Sequence, residues 1–409
     1  MNKRNPRLSF IIILTALITL MVALFFGNLS LVKANPGGLD FLAHWQGSRA
    51  FILDGTNPYS DQAAALIESG TRELTLDSTN NYRFVSPLFS LLFLAPVAVI
   101  GEFTIARAVW MTLLEGMVLL SAYLMAGWLV RKRTGWITLF VILVLLFNLA
   151  TVTALLDGSM AIIGFSAIIL TIHFILKKQD ELAGLMLAFS LVKPDLVLPI
   201  LLVLFVWLLI KKRFTVLTWF LGTFGLLLGF SLVLNPAWLK DYFATVIEYS
   251  MRNPVRVEEW QPTALEIRLV LVKNLAIVLL LIVEWFRVNG SGEKRLIWIT
   301  GLLFAVVPWL GRSILLENTI FIYPALLIGL GYLGGIRGNR SSPGILGIAL
   351  LLSVSGWLLS GNLIPGIAEN WGMIWNSVVL PFVALIILYW SRWWVIRQEK
   401  FSEDQFKLT

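Results

Sequence analysis

The sequence predicts an all-α polytopic membrane protein, and three observations support this fold class. Only 14% of the 409 residues are charged, whereas 58% are hydrophobic and the mean hydropathy is +0.83. A soluble globular protein carries about 25% charged residues, so this charged fraction is too small to cover a water-exposed surface. The apolar residues also form runs of the length that a spanning helix needs, and basic clusters separate these runs. These features exclude a cytosolic enzyme, a nucleic-acid-binding domain and a disordered chain.

The first spanning helix is expected over residues 8–32. Lys3, Arg4 and Arg7 precede it, and because basic residues favour the cytoplasmic side, the N-terminus is expected inside. The apolar run is longer than that of a usual signal peptide and no small-residue cleavage site stands out after it, which favours an uncleaved helix. The net charge of +8 is likewise interpreted as a sign of membrane orientation and not of a nucleic-acid partner.

Residues 33–100 are expected to form a long outer loop, and long loops in compact proteins usually carry function. Residues 40–53 have helical spacing, which places Asp40, His44 and Gly47 or Ser48 on one face. The turn-forming run at 55–59 is expected to end this helix. The loop also concentrates acidic side chains: Asp40, Asp54, Asp61, Glu68, Glu73 and Asp77.

Residues 86–100 are apolar but short, with prolines at positions 87 and 96, and are expected to lie along the outer membrane surface without crossing it. If they crossed, and residues 182–210 formed one helix, the basic clusters at 131–133 and 177–178 would lie outside. If residues 86–100 do not cross and residues 182–210 form two helices, the strongly basic loops all lie inside. This topology is therefore favoured.

Nine further spanning helices are expected, at residues 104–130, 135–156, 159–176, 214–234, 268–286, 296–310, 318–336, 344–362 and 373–395. Residues 182–210 are too long for one untilted span. Proline removes a backbone donor and restricts the residue before it, so Lys193-Pro194-Asp195 favours a tight hairpin of two shorter helices. The sum is about twelve crossings in one integral membrane domain, with both termini cytoplasmic and a cytoplasmic tail at 396–409.

A second large outer loop is expected at residues 235–267, between the seventh and eighth crossings. It contains Trp238, Tyr242, Arg252, Arg256 and Trp260, and it is expected to form the wall opposite the first loop. The sequence shows no internal repeat and no duplicated halves.

Asp40 is the candidate catalytic residue. It lies a few residues beyond the first helix, where a carboxylate can meet both lipid-delivered and aqueous substrates. Such a carboxylate can act as a general base and remove a proton from an acceptor hydroxyl. The alternative is that Asp40 is a solvated N-cap for the helix that follows.

Basic residues expected near the outer face could hold a phosphate or pyrophosphate leaving group, because arginine and lysine bind phosphate oxygens well. Arg107 could instead pair with Glu102 or extend to the interface. Lys193 could instead pair with Asp195 or Asp157. The residues expected to contact substrate or phosphate are Lys193, Arg107, Asp157, His44, Arg49, Tyr59 and Arg312.

No cofactor is expected with certainty. The chain has no cysteine and two histidines, which exclude Cys-based zinc sites and leave little for a metal cluster. Asp40, His44 and Asp157 could bind a divalent cation, although their spacing fits no recognised ligand motif. No Gly-rich phosphate loop, nucleophile elbow or HExxH is present, so a cytoplasmic nucleotide site is not expected.

Several short motifs, taken in order, resemble glycosyltransferase family 87 over about residues 10–335. The motifs are Asp40-Phe41, Gly55-Thr56-Asn57-Pro58-Tyr59, Phe84-Val85-Ser86-Pro87-Leu88, Leu156-Asp157-Gly158-Ser159-Met160, and Ala183-Gly184 through Leu191-Val192-Lys193-Pro194. Two departures leave the sugar donor open. Asp157-Gly158-Ser159 lacks the family's glutamine, and Arg312-Ser313 with Glu317-Asn318-Thr319 replaces a stretch that often contains Trp and His.

The resemblance implies the GT-C fold, in which the first outer loop holds juxtamembrane helices and an acidic catalytic residue. It also implies a polyprenyl-phosphate sugar donor, typically of mannose, and a large loop between helices seven and eight that helps close the site. On this basis Asp40 is the expected base, Asp157 matches a second acidic position, and Lys193 and Arg107 are expected to contact the donor phosphate.

The expected function is transfer of a hexose, typically mannose, from a polyprenyl-phosphate carrier to a glycolipid, glycan or protein acceptor, with inversion or retention. The site is expected on the outer face of a plasma membrane. A membrane transporter or lipid flippase is the alternative, and it predicts pseudo-symmetric halves with charges at the bilayer midplane. A non-catalytic membrane scaffold is a third reading, which would not need a charged, turn-rich loop.

Overall fold

The regular structure is helical throughout the described part of the chain, which agrees with the all-α class predicted from composition. A computed structural model describes residues 6–74, 82–129, 135–252, 264–287, 293–310, 316–337, 342–360 and 370–392. The chain divides into two compact units. The first comprises Met1–Met117, Leu155–Ser159 and Leu228–Pro254, and the second comprises Val118–Ala154, Met160–Leu227 and Val255–Thr409. The single integral membrane domain expected from the sequence stays a prediction.

The first unit begins with α1 (Pro6–Ala34), a 29-residue helix. At 1.5 Å per residue this helix is about 44 Å long, enough to cross a bilayer. Most of its described side chains are exposed apolar groups, as expected of a helix that contacts lipid. The unit continues with α2 (Leu39–Asp54), α3 (Asp61–Leu74), α4 (Leu91–Ala98) and the first half of α5 (Phe103–Leu129).

Helix α2 confirms the expectation for residues 40–53 to within one residue at each end. Gly55 ends it in the left-handed conformation, with φ 67° and its N–H bonded to the carbonyl of Ala50, which is the C-terminal geometry that glycine favours. Asn57 Oδ1 then accepts the N–H of Tyr59, and the Ser60 hydroxyl accepts the N–H of Ala63 at the start of α3. Turn chemistry therefore ends one helix and starts the next.

The short apolar segment forms a 3₁₀ turn, Leu88–Ser90, followed by α4, which contains Pro96. These eleven residues span about 16 Å as a helix, roughly half of the hydrocarbon core, so they are too short to cross it. Leu88, Leu94 and Val97 are buried, and α4 packs against α2. Its placement along the membrane surface stays a prediction.

The first unit is completed by segments from later in the chain. Residues 155–159 include the end of α7 (Leu149–Asp157), which follows α6 (Gly135–Phe147) after a bend of 58°. Residues 228–254 include the end of α11 (Phe214–Leu234) and all of α12 (Trp238–Arg252).

The second unit is organised around α8 (Ala161–Leu176), whose first nine residues are all buried. Helices α9 (Asp180–Phe189) and α10 (Pro194–Ile210) both pack against α8. The predicted break at Lys193 is confirmed, because a 3₁₀ turn, Ser190–Val192, leads into Lys193 with φ −124° and Pro194 starts α10. The expected tight hairpin is not formed, since the two arms pack on α8 and not mainly on each other.

The rest of the second unit is also helical. It contains α13 (Ala264–Arg287), α14 (Glu293–Val306), a 3₁₀ turn at Val307–Trp309, another at Leu316–Phe321, α15 (Ile322–Arg337), α16 (Ser342–Leu358) and α17, which starts at Asn370 and continues through a π-helical turn to Arg392.

Five helical stretches in the described residues are long and apolar enough to cross a membrane, or six if the bent α6–α7 pair counts as one span. The five are Leu14–Ala34, Phe103–Leu129, Phe214–Leu234, Leu316–Leu333 and Trp371–Arg392. Shorter apolar helices, including Ala161–Leu176 and Pro194–Ile210, occupy several of the other predicted crossings. The protein is therefore a membrane-embedded helical protein, and the count of twelve crossings stays a prediction. The tail at 396–409 lies outside the described residues.

Candidate functional site

Asp40 lies in the first turn of α2, and the four residues 35–38 connect this helix to α1. The N-cap of α2 is Gly38, in the left-handed conformation with φ 73°, and no side chain caps this end. The alternative reading of Asp40 as an N-cap is therefore wrong. Asp40 instead lies in the first turn, near the positive end of the helix dipole, where acidic side chains are commonly found.

The Asp40 carboxylate lies beside His44, one helical turn further along α2. Its Oδ1 atom is 3.6 Å from His44 Nδ1, and the Asp40 side chain is 29% exposed whereas the His44 side chain is 4% exposed. Asp40 Oδ2 is buried and has no hydrogen-bond partner among the described residues. The Asp40 carboxylate therefore has one oxygen atom near His44 and a second oxygen atom without a hydrogen bond among the described residues.

Both ring nitrogens of His44 have partners. Nδ1 is 2.6 Å from the backbone carbonyl oxygen of Asp40, and Nε2 is 2.7 Å from the hydroxyl of Ser86. Because a carbonyl oxygen can only accept, Nδ1 is the donor to Asp40, and the Ser86 hydroxyl is the partner of Nε2. His44 therefore joins the first turn of α2 to the segment before α4.

Tyr59 fixes the backbone of that same segment. Its hydroxyl donates to the carbonyl oxygen of Ser86 at 2.8 Å, and its ring packs edge-on against Phe84. Burial raises the pKa of Tyr59 well above its ordinary value, and the neighbouring Tyr242 and Asp241 raise it further. The phenol therefore stays protonated and keeps donating at neutral pH.

Arg107, expected to contact phosphate, is 3% exposed and bonds to the backbone. One terminal nitrogen donates to the carbonyl oxygen of Asn35 at 3.2 Å and the other to that of Leu156 at 2.7 Å. Gly38 packs against this guanidinium so closely that a Cβ there would lie 2.3 Å from Nε. Arg107 therefore joins the ends of α1 and α7, and these contacts replace the Glu102 pair. Its contact with a donor phosphate stays a prediction.

Asp157 ends α7 and interacts electrostatically with Arg107. The next residue, Gly158, has φ +68°, and its carbonyl oxygen accepts the indole N–H of Trp110 at 2.9 Å. A Cβ at Gly158 would lie 2.5 Å from the Cβ of Phe41. Since Phe41 follows Asp40 directly, this contact brings the segments of the two predicted acids together in the first unit.

Arg49 makes structural contacts, and its expected contact with substrate stays a prediction. Its guanidinium donates to the carbonyl oxygen of Ala98 at 3.1 Å and lies 5.7 Å from the ring centre of Trp45. The Trp45 indole donates to the Ile100 carbonyl at 3.3 Å. These bonds attach α2 to the end of α4 and the residues just after it, so α4 and the helix of Asp40 form one structural element.

The second predicted loop contacts the first through α12. Asn57 donates to Asp241 at 2.7 Å, and the rings of Tyr59 and Tyr242 meet edge-on at 6.0 Å. Arg83 lies 3.5 Å from Glu248 and also pairs with Asp61 at 3.3 Å. The described part of the second loop therefore contacts the first loop, and its role as the opposite wall of a site stays a prediction. Arg256 and Trp260 lie outside the described residues.

Lys193 belongs to the second unit, at the break before α10. Its ammonium pairs with Glu317 at 3.2 Å, with both side chains less than one-fifth exposed. Glu317 lies in the 3₁₀ turn at Leu316–Phe321, where the neighbouring Asn318 has a buried amide oxygen without a hydrogen-bond partner among the described residues. Glu317 is therefore one partner of Lys193, and this pair joins the break before α10 to the 3₁₀ turn at Leu316–Phe321. Arg312 lies outside the described residues.

The described residues contain no group of three His, Asp or Glu side chains placed to hold a metal ion. Both ring nitrogens of His44 already have protein partners, at 2.6 and 2.7 Å. The suggested cation set of Asp40, His44 and Asp157 therefore does not fit, and no chemical step is assigned to a metal.

The first unit thus brings together Asp40, His44, Tyr59, Arg49, Arg107 and Asp157. Ser86, Asn57, Asp241 and Glu317 are contacts that the sequence did not reveal as site residues. Ser86 lies in a recognisable motif, whereas Asp241 and Glu317 come from distant segments and carry no local signal.

The model of glycosyltransferase family 87 matches residues 84–319, more than half of the chain. The matched stretch includes Ser86, Arg107, Asp157 and Lys193, whereas Asp40 and His44 precede it. No curated protein and no solved structure matches the chain.

Proposed function

Because the chain belongs to glycosyltransferase family 87 and is a membrane glycosyltransferase, we propose that it transfers a hexose from a polyprenyl-phosphate sugar, with mannose as the first candidate. The acceptor is a glycolipid, glycan or protein on the outer face of the plasma membrane. A donor that is already dissolved in the bilayer explains why the sequence needs no soluble nucleotide site.

The observation that carries this proposal is the Asp40 carboxylate, held just past a spanning helix and left partly exposed. In the proposed step Asp40 accepts the proton of the acceptor hydroxyl. That hydroxyl oxygen forms a bond to the anomeric carbon, and the bond from this carbon to the phosphate oxygen breaks. The polyprenyl phosphate leaves with the bonding electron pair.

His44 is proposed as a positioning residue for Asp40. Its bond to the Asp40 carbonyl and its bond to Ser86 hold the first turn of α2 in place. The ring is almost fully buried, which favours this indirect role over direct contact with a sugar. Tyr59 contributes in the same indirect way by fixing the Ser86 backbone.

Lys193 stays our candidate for a contact to the donor phosphate. An ammonium has three N–H donors, so it can bond to Glu317 and to a phosphate oxygen at once. Positive charge at the leaving phosphate stabilises the transition state electrostatically. Asp157 stays a candidate for substrate contact through its position at the end of α7.

The test compares Asp40→Asn with Asp54→Asn in isolated membranes supplied with labelled polyprenyl-phosphate mannose or glucose. Asn is nearly isosteric but not basic, so Asp40→Asn is expected to reduce transfer by at least about 10²-fold. Asp54 lies at the exposed far end of the same helix, and its variant is expected to retain full activity. Full transfer by Asp40→Asn, at equal expression, would refute the role of Asp40 as base.

A further inference from the structure

Helix α12 has one face that is committed to the rest of the first unit. Trp238, Tyr242 and Thr245 are buried on this face. Asp241 and Glu248 flank it and bond to Asn57 and Arg83 of the first loop. The helix is therefore fixed in orientation, and its other side is turned away from the loop.

That other side carries an apolar stripe, defined here as Leu239, Phe243 and Ile247. These side chains are 38%, 57% and 53% exposed. They lie at positions i, i+4 and i+8, so they form one line along the helix. Single exposed apolar residues are common, but an aligned set on an amphipathic helix marks a contact surface.

The stripe begins where a lipid-facing surface ends. Helix α11 is long and apolar enough to span a membrane, and near its end Phe230, Val233 and Leu234 are 43%, 84% and 40% exposed. Only residues 235–237 separate α11 from α12, and Asn235 makes a tight turn there by accepting the N–H groups of Ala237 and Trp238. Because a span ends near the bilayer surface, α12 starts at that depth.

We propose that α12 is an interfacial helix whose apolar stripe is inserted in the lipid leaflet at which α11 ends. Interfacial helices of this kind bury the apolar face roughly 5–10 Å into the boundary between headgroups and acyl chains. Lys240, which is exposed beside the stripe, then reaches the lipid phosphates while its methylene groups lie along the apolar region.

The lipid contact of α12 also affects the loop that carries Asp40. This effect on the loop rests on the proposed function, whereas the lipid contact itself does not. Helix α12 is bonded on its inner face to the loop that carries Asp40. A helix anchored in the leaflet therefore holds that loop at the depth where a polyprenyl phosphate presents its sugar.

The test uses the absence of cysteine from the 409 residues of the chain. Phe243→Cys and Ala244→Cys are each labelled with a small fluorophore, in nanodiscs that contain anionic lipid and a lipid with a nitroxide near the headgroup. Ala244 is exposed too, but it points about 100° around the helix from Phe243, so it is a matched control. The probe at 243 is expected to be quenched several-fold more by the nitroxide lipid, and the probe at 244 several-fold more by aqueous iodide.

Equal quenching of both probes by iodide, without quenching by the nitroxide lipid, would overturn the proposal. Shielding of the probe at 243 from both quenchers would also overturn it, because protein would then cover the stripe. The same measurement in an Asp40→Asn background should be unchanged, so that failure of the lipid contact and failure of the catalytic assignment are told apart.

Discussion

Asp40 and His44 are four residues apart on one helix, and this spacing brings an imidazole beside a carboxylate without any long-range contact. Long-range structure adds the second constraint, because Ser86 holds the far side of the ring from 42 residues away. A ring held at both nitrogens has little freedom to rotate. Through its bond to the Asp40 carbonyl oxygen, this ring also fixes the orientation of the Asp40 backbone.

If Asp40 is the base and His44 positions it, as proposed, His44→Ala should lower kcat about 10–100-fold and leave KM nearly unchanged, because the base is displaced while substrate binding is kept. His44→Asn keeps an N–H donor near the position of Nδ1 and should recover a large part of the lost kcat. Initial rates over a range of acceptor concentrations measure both constants. A rise in KM of the same size in both variants would instead assign His44 to substrate binding.

Helix α2 is enclosed by two glycines with nearly the same backbone conformation but different surroundings. Gly38 has φ 73° and lies against Arg107, whereas Gly55 has φ 67° and has open space where a Cβ would be. A substitution at Gly55 therefore measures the cost of backbone strain alone, whereas a substitution at Gly38 adds the cost of a steric collision.

We expect Gly55→Ala to destabilise the protein by about 1–2 kcal/mol, the usual cost of a left-handed alanine. Gly38→Ala adds a collision with a buried guanidinium and should cost roughly 2–4 kcal/mol. Thermal unfolding of the purified variants in one detergent compares the two directly. Equal losses of stability would show that the Arg107 side chain moves aside at no cost.

The extent of α2 and the break at Lys193 could be predicted from the sequence, because helical spacing, the Gly-Thr-Asn-Pro-Tyr turn and the Lys-Pro step determine structure over a few residues. The contacts of Arg107 could not be predicted in this way. Its acceptors are backbone carbonyls of Asn35 and Leu156, and a backbone carbonyl has no sequence signal. The Lys193–Glu317 pair joins residues 124 apart, and the nearer acids at 195 and 157 were the obvious local choices.

At the scale of the whole molecule, charge carries the information about orientation. The chain has 32 basic and 24 acidic residues, and the predicted topology places the basic clusters on the cytoplasmic side. Helix length alone identifies only the longest spans, since several predicted crossings are helices shorter than eighteen residues. The distribution of charge is therefore the stronger argument for the side on which Asp40 lies.

We expect Asp54→Cys to react with a membrane-impermeant maleimide in intact cells, and Lys177→Cys to react only after permeabilisation. Both positions are exposed, so access to the reagent and not burial decides the result. If 86–100 crossed the membrane and 182–210 formed one helix, position 177 would lie outside and would be labelled in intact cells.

Arg107 also constrains the order in which this protein can be assembled during synthesis. The segment that positions Asp40 is held by a guanidinium that binds Leu156, 49 residues further along the chain from Arg107 itself. Chain synthesis is slow, at about 5–20 residues per second. The loop that carries Asp40 is therefore made seconds before Leu156, the residue whose carbonyl oxygen binds Arg107. The segment that carries Asp40 thus reaches its final structure only after α7 has been made. In a nascent chain stopped before residue 156, Arg107 should lack the Leu156 acceptor and the Asp40 segment should lack this support.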